Sequence, residues 1–362
     1  MDRIPIYQPF IGKEERNNVL ECIDSTWISS QGKFIEKFEE RVQEYTGSKH
    51  AISVCNGTVA IHLALLALDL GPGDEIITTN FTYVASTNAI LYVGAKPIFV
   101  DADALSWNID TTKIKEKISP RTKAILYTNV YGTPADYDKL KKLADQYSLY
   151  LIEDAAESFG ATYDSMQSGT LGDISTFSFF GNKTITTGEG GMVLTSNDEL
   201  NKKMRKLKNQ GNSETIRYYH DILGYNYRMT NIQASIGLAQ LDKLEQILKL
   251  KSKIQQNYED GLSDVVTFQH IPKSAVSSYW MCSILFNSKL AKERAIQALE
   301  SENIETRPFF TPIDKLPFYE SANDCPVSYD IYERGLNIPS YPALREEQQE
   351  KIINTLRKIN NK

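Results

Sequence analysis

Residues 149–161 read LYLIEDAAESFGA, and the fold turns on this stretch. Its first half is a continuous apolar run rather than an alternating one, the pattern of a strand covered on both faces and so of a mostly parallel sheet wrapped by helices. The run ends on two carboxylates, Glu153 and Asp154. A carboxylate at the end of a buried strand is costly unless it is paired. Two partners meet that need: the protonated ring nitrogen of a bound cofactor, or the start of the next helix, which a carboxylate caps.

Working outward, similar runs recur at HAISV (50–54), DEIITT (74–79), KPIFV (96–100), KAILYTN (123–129), ISTFSFF (174–180) and GGMVLTS (190–196), with helical patterns between them. Strands alternating with helices mark an α/β architecture. Beyond NYRMTN (226–231) the texture changes to one long helical pattern, in which Leu241, Leu244 and Leu248 share a face and which runs toward residue 262. Shorter elements follow: YWMCSILF (279–286), a helix around AKERAIQALESEN (291–303), and the Pro-rich TRPFFTPIDKLPFY (306–319). The expected organisation is a large domain over 1–250, including an N-terminal segment and the start of the long helix, and a smaller α+β domain over 251–362.

Bulk properties exclude several classes. The chain has 362 residues and a formal net charge of -6, so no basic balance favours nucleic acid, and NKKMRKLKNQG (201–211) reads as the wet face of a helix. No apolar run approaches the roughly 20 residues of a membrane span, and MDRIPIYQPF lacks the apolar core of a signal peptide. A cytoplasmic protein without a membrane partner is expected. Cys22, Cys55, Cys282 and Cys325 are scattered, as are His50, His62, His220 and His270, so neither a disulfide framework nor a metal site is signalled.

In open α/β sheets ligands gather at the carboxyl ends of strands, so the residues just beyond each strand carry the chemistry. SVCNGTVAIHLALLAL (53–68) breaks at Gly57 and opens a helix at Thr58, an anion site built from free N–H groups, although Gly-Thr is also a plain capping turn. In SFFGNKTITTGEGG (178–191) one lysine, Lys183, stands among small and hydroxylated residues. An amine there either faces solvent or forms a Schiff base with a cofactor aldehyde and afterwards carries protons. A helix start for a phosphate, an acid for a pyridine nitrogen and a lysine for an aldehyde are together the handles of pyridoxal 5′-phosphate.

At these residues the chain resembles the DegT/DnrJ/EryC1/StrS sugar aminotransferases, a branch of fold-type I pyridoxal-phosphate enzymes. The resemblance is carried by STWISSQGKFIEKFE (25–39), NGTVAIHLALLAL (56–68), GDISTFSFFGNKTITTGEGGMV (172–193), GYNYRMTNI (224–232) and ETRPFF (305–310), and extends from IPIYQPF (4–10) to RGLNIPSYP (334–342). It implies that Lys183 anchors the cofactor and moves protons, that Asp154 pairs with the pyridinium nitrogen, and that Gly57, Thr58 and Ser178 hold the phosphate. Phe81 would lie beside the cofactor ring and Glu157 near its hydroxyl. Asn226 would reach the phosphate of a neighbouring subunit, making a homodimer with shared active sites. Trp27, Ser29, Ser30, Thr306, Arg307 and Phe309 resemble substrate-binding segments, Arg307 being suited to a diphosphate. For Arg307 a structural salt bridge is the other reading, and His220 reads as a buttress of its loop.

The implied reaction takes an amino group from L-glutamate, through pyridoxamine 5′-phosphate, to C4 of a nucleotide-linked 4-keto-6-deoxy sugar for polysaccharide (O-antigen) biosynthesis. Within the family the chain looks most like the branch that makes GDP-perosamine from GDP-4-keto-6-deoxymannose. Members of that branch carry His where this chain has Thr133 and Asp314. Those departures motivate the alternative substrate, a UDP- or dTDP-linked 4-keto-6-deoxyglucose giving viosamine. A dehydratase branch places His at the lysine position, so Lys183 argues for amination. A regulatory reading would need an appended DNA-reading domain, and no basic helix-turn-helix is legible in the sequence.

Overall fold

The computed structural model describes residues 3–322 and 324–360. Nine strands precede residue 200: β1 (His50–Val54), β2 (Glu75–Thr79), β3 (Lys96–Val100), β4 (Thr122–Thr128), β5 (Tyr150–Asp154), the short β6 (Thr162–Tyr163) and β7 (Met166–Gln167), β8 (Ile174–Ser178) and β9 (Gly191–Thr195). Seven of them form one sheet in the order β1-β9-β8-β5-β4-β2-β3. Only β9 runs against the rest, pairing antiparallel with both β1 and β8, while β8-β5-β4-β2-β3 is parallel throughout. Every residue of β2, β8 and β9 is buried, as strands covered on both faces of a sheet must be.

Because β1, β8, β5, β4 and β2 point the same way, the residues after Val54, Ser178, Asp154 and Thr79 emerge at a single edge of the sheet. The helix Gly57–Ala67 leaves that edge, with Asn56 as its cap, the side chain accepting from the Val59 N–H at 3.0 Å. It is nearly all apolar because it packs between the sheet and neighbouring helices, in a core with Ile52, Val54, Ile152, Ile174 and Val193.

The long helical pattern after residue 231 is two helices, Asn231–Asp242 and Leu244–Leu262. Lys243 interrupts them at φ -102°, ψ 2°, and its amine is drawn aside to the Phe10 carbonyl (3.1 Å) and the buried Glu15 carboxylate. The second helix leads to a small sheet of β10 (Thr267–Phe268), β12 (Cys282–Leu285), β13 (Arg307–Pro308) and β14 (Gly335–Ile338), ordered β10-β12-β14-β13, while β11 (Ala275–Val276) joins β6 and β7. Ile254, Tyr258, Ile284, Leu299, Leu336 and Ile352 form its core. Ile4 belongs to the same core and exchanges backbone hydrogen bonds with Asn303 and Glu305, so the start of the chain packs with its C-terminal part. No helix among the described residues is long and apolar enough to cross a membrane.

Candidate active site

A cavity of about 930 Å³ opens where the carboxyl edge of the large sheet meets β13 of the small one. Its wall includes Gly57, Thr58, Asp154, Glu157, Ser178, Lys183, Arg307 and Phe309, eight of the residues singled out in the sequence.

Gly57 and Ser178 meet at one corner. A Cβ on Gly57 would stand 2.7 Å from the Ser178 Cβ, so only glycine lets the helix start close over the end of β8. At a helix start the N–H groups of residues 57 and 58 lack intrahelical acceptors, and Thr58 and Ser178, each with a hydroxyl, line the same wall. This corner suits a phosphate.

Asp154 ends β5 and is buried. Its carboxylate accepts from the Ser86 hydroxyl at 2.5 Å and the Ala156 N–H at 3.1 Å. Burial pushes its pKa up, against these hydrogen bonds and the positive charge of Lys183. A buried acid facing a cavity with so few donors needs a cationic partner there. Glu153, one residue earlier on the opposite face, has none of this need. Its two oxygens accept from Asn129, Ser168 and Ser175 side chains and from the Gly169 and Leu171 N–H groups, at 2.8–3.0 Å.

Lys183 sits on the turn after β8, its N–H bonded to the Phe180 carbonyl at 3.0 Å. Burial lowers its pKa; Glu157 and Asp154 pull the other way, and Arg307 adds to the lowering. Glu157 is pushed up to about 7 by burial, with Lys183 and the Tyr131 N–H, donated at 2.7 Å, opposing. Tyr131 holds a left-handed backbone (φ 54°), uncommon for so bulky a residue, and Glu157 is the acceptor that fixes it. Arg307 makes no ion pair among the described residues, so the salt-bridge reading of it fails.

Other expectations lie elsewhere. Phe81 is fully buried behind the wall, its ring packed on Tyr131 (6.0 Å) and Phe309 (5.8 Å), and is not part of the lining. Trp27, Ser29 and Ser30 sit on a loop pinned to the start of the helix Asn231–Asp242, where Asn231 donates to the Trp27 and Ser29 carbonyls at 2.8 and 2.6 Å. None of the three lines this cavity, nor does Thr306. Asn226 is exposed and outside it too. Thr133 and Asp314 face inward to other partners: Thr133 to Gln269 and Ser277 (2.9 and 3.1 Å), Asp314 to Asn80, Tyr329 and the Ala322 N–H. His220 bonds the Gln210 carbonyl at 2.8 Å, bracing its own loop.

Wall residues that the sequence reading passed over include Ser86, Tyr83, Glu189, Trp280 and Phe310. Ser86 and Tyr83 follow β2, so the strand-end rule was enough to find them. Trp280 comes from a segment about 100 residues distant in sequence and carried no local signal.

The donor set fits pyridoxal phosphate: an anion corner, a buried acid wanting a cation, and an amine whose charge burial opposes. The sequence pattern of the DegT/DnrJ/EryC1/StrS aminotransferase family matches residues 9–357. A GDP-perosamine synthase of Escherichia coli O157:H7 is 46% identical over 349 residues, 96% of each chain. One from Vibrio cholerae is 43% identical over 364 residues, 99% of each. Among solved structures, Spr1654 from Streptococcus pneumoniae in its PLP form superposes with a TM-score of 0.94 at 27% identity, covering 99% of each chain.

Proposed function

This chain belongs to the DegT/DnrJ/EryC1/StrS aminotransferase family and is a PLP-dependent sugar aminotransferase, and we propose that it moves an amino group from L-glutamate to C4 of GDP-4-keto-6-deoxymannose, giving GDP-perosamine. The observation that carries the proposal is the meeting of Lys183, Asp154 and the Gly57–Ser178 corner in one cavity of a chain that is kin over its full length to perosamine synthases. The cavity is divided between the two proposed parts of the chain, 1–250 holding the cofactor and 251–362 supplying Arg307, Phe309 and Trp280.

When bound, the cofactor supplies an electron sink for the carbon that gains or loses the amine. Gly57, Thr58 and Ser178 would hold its phosphate through backbone N–H groups and hydroxyls. Asp154 would keep a proton on the pyridine nitrogen: its burial is costly alone and would be relieved by that cation. Lys183 would anchor the cofactor and carry protons. Burial makes its neutral form more accessible than in a solvent lysine, while Glu157 and Asp154 keep the charged form within reach, so the amine is suited to both taking and giving a proton. Arg307, in the wall and without an ion pair among the described residues, offers its fork of donors to the sugar diphosphate. Tyr83, Trp280 and Phe310 line the same space and limit its water.

The motive for a UDP- or dTDP-linked substrate was Thr133 and Asp314. Both side chains are committed to internal hydrogen bonds, so their departure from His has no direct route to a substrate in this cavity.

The same reading includes a homodimer in which Asn226 serves the neighbour's phosphate. Arg228 donates to the Asn226 amide oxygen at 3.0 Å, which leaves the amide N–H₂ to donate outward. The adjoining loop exposes Tyr218 (83%), Leu223 (85%) and Ile216, apolar area of the kind a partner covers. Glutamate and nucleotide sugars are made in the cytoplasm, and the reading carries that location.

The test is a substrate panel. The purified protein, loaded with PLP and glutamate, is offered GDP-, UDP- and dTDP-linked 4-keto-6-deoxyhexoses, with products read by mass spectrometry. An amino sugar from the GDP compound alone supports the proposal. Turnover only with UDP or dTDP compounds overturns the substrate while leaving the chemistry.

A further inference from the structure

The turn that carries Lys183 is held from outside by two aromatic side chains. The Trp280 indole N–H donates to the Asn182 carbonyl at 2.7 Å, and the Tyr7 hydroxyl donates to the Lys183 carbonyl at 2.5 Å. Both come from far along the chain, Trp280 from just before β12 and Tyr7 from the segment that packs with the small sheet. Successive carbonyls are thereby fixed, and a backbone fixed at two adjacent points restricts where the side chain between them can reach.

Trp280 does more than hold backbone. The Lys183 amine lies 3.9 Å from the centroid of its ring. That ring is itself immobilised: it is 4% exposed and stacks on Tyr131 (6.2 Å, 25°) and Phe310 (6.5 Å, 18°), which also stack on each other (5.2 Å, 23°). An ammonium over an indole face is attracted by the ring quadrupole, more strongly where water is excluded. The charged groups facing the same amine are Glu157 and Asp154, which favour the ammonium, and Arg307, which opposes it.

We propose that Trp280 is a positioning residue for Lys183: its N–H fixes the backbone carrying the lysine, and its ring face holds the amine at the cavity wall and favours the ammonium form. The proposal rests on the reading of Lys183 as the reactive amine. It adds a third influence favouring the ammonium, beside the two carboxylates, supplied by a neutral ring from the C-terminal part of the chain. When the proton is given up, the attraction to the ring is lost with it, so Trp280 biases the lysine toward the form that donates.

The test uses the cofactor-free full-length protein. Trace acetylation across a pH series, quantified by mass spectrometry at Lys183 against the exposed Lys142, gives the apparent pKa of Lys183 in wild type, Trp280→Leu, Trp280→Phe and Tyr7→Phe. Trp280→Leu is expected to lower it by roughly half to one unit, and Trp280→Phe by less. Tyr7→Phe, which frees the carbonyl without touching the amine, leaves it within about 0.2 unit on the same scale. Should the leucine variant fail to fold, fluorinated tryptophan incorporated biosynthetically weakens the ring face without changing its shape, and the same downward shift is expected. An unchanged or raised pKa in the leucine or fluorinated protein overturns the inference. Borohydride reduction of the PLP-loaded wild type separates the two failures. Label on Lys183 with no pKa shift in the variants sinks only the role of Trp280, whereas no label on Lys183 sinks the reading beneath it.

Discussion

Glu153 and Asp154 are consecutive residues of β5, both buried, and both raised in pKa by that burial. On one face of the sheet the Glu153 carboxylate is saturated by five donors from Asn129 and the segment 168–175. On the other face Asp154 has two donors and a cavity. Strand alternation sends neighbours to opposite faces, so adjacency in sequence becomes opposition in space. The saturated acid organises a loop; the under-served one is available to a ligand. What distinguishes a structural from a functional buried charge is therefore how much of its hydrogen-bonding capacity the protein itself consumes.

The sharpest way to press that contrast is on the cavity side. Lys183→Ala is expected to cut transamination by about 10⁴-fold or more, because the proposed anchor and proton carrier are lost together. The urea midpoint of the cofactor-free protein should barely move, since this amine makes no hydrogen bond among the described residues. A variant that keeps appreciable turnover would break the assignment.

Next comes the saturated face. Glu153→Ala strands several buried donors at about 1–3 kcal/mol each, so a loss of roughly 4 kcal/mol or more in unfolding free energy is expected by urea titration. A change under about 1 kcal/mol would mean the five bonds do not hold the 168–175 segment as argued.

Asp154→Asn gives the mirror result: turnover down by about 10²–10³-fold, with stability within about 1 kcal/mol of wild type. Equal damage to stability by Asp154→Asn and Glu153→Ala would erase the distinction between the two faces.

A gentler change concerns Glu157. Its carboxylate favours the Lys183 ammonium, so Glu157→Gln removes that support and should lower the Lys183 pKa, shifting its acetylation profile to lower pH. A rise would contradict the sign. Smallest is Asn226→Asp: on the proposed shared site, a new carboxylate facing the partner's phosphate should weaken PLP retention by about fivefold to tenfold in equilibrium dialysis. Unchanged retention would argue against the shared site.

These residues also show what the chain disclosed before folding and what it withheld. Continuous apolar runs announced a two-sided sheet, and parallel strands carry their C-terminal residues to one edge. Gly57, Asp154, Glu157, Ser178 and Lys183 follow strand ends, and they share one wall. Other residues read by motif fared differently, Phe81 among them although it closely follows β2. Phe81 turns into the core behind the wall, and Trp27, Ser29 and Ser30 are tied to Asn231 outside it. Trp280 was invisible because its contact with Lys183 depends on how the small sheet docks, which no local spacing encodes. The apparent single helix through residue 243 parted for a similar reason: a tertiary tie from Lys243 to Glu15 and Phe10 overrides a periodicity that continues across it.

We propose that the amine of Lys183, on the Asp154 side of the sheet, is where the cofactor is held. Full-length protein is incubated with pyridoxal phosphate, reduced with borohydride, digested and mapped by mass spectrometry. One pyridoxyl group, on the peptide containing Lys183, is the predicted result. Label confined to surface lysines, or no label at all with the protein folded, would contradict it.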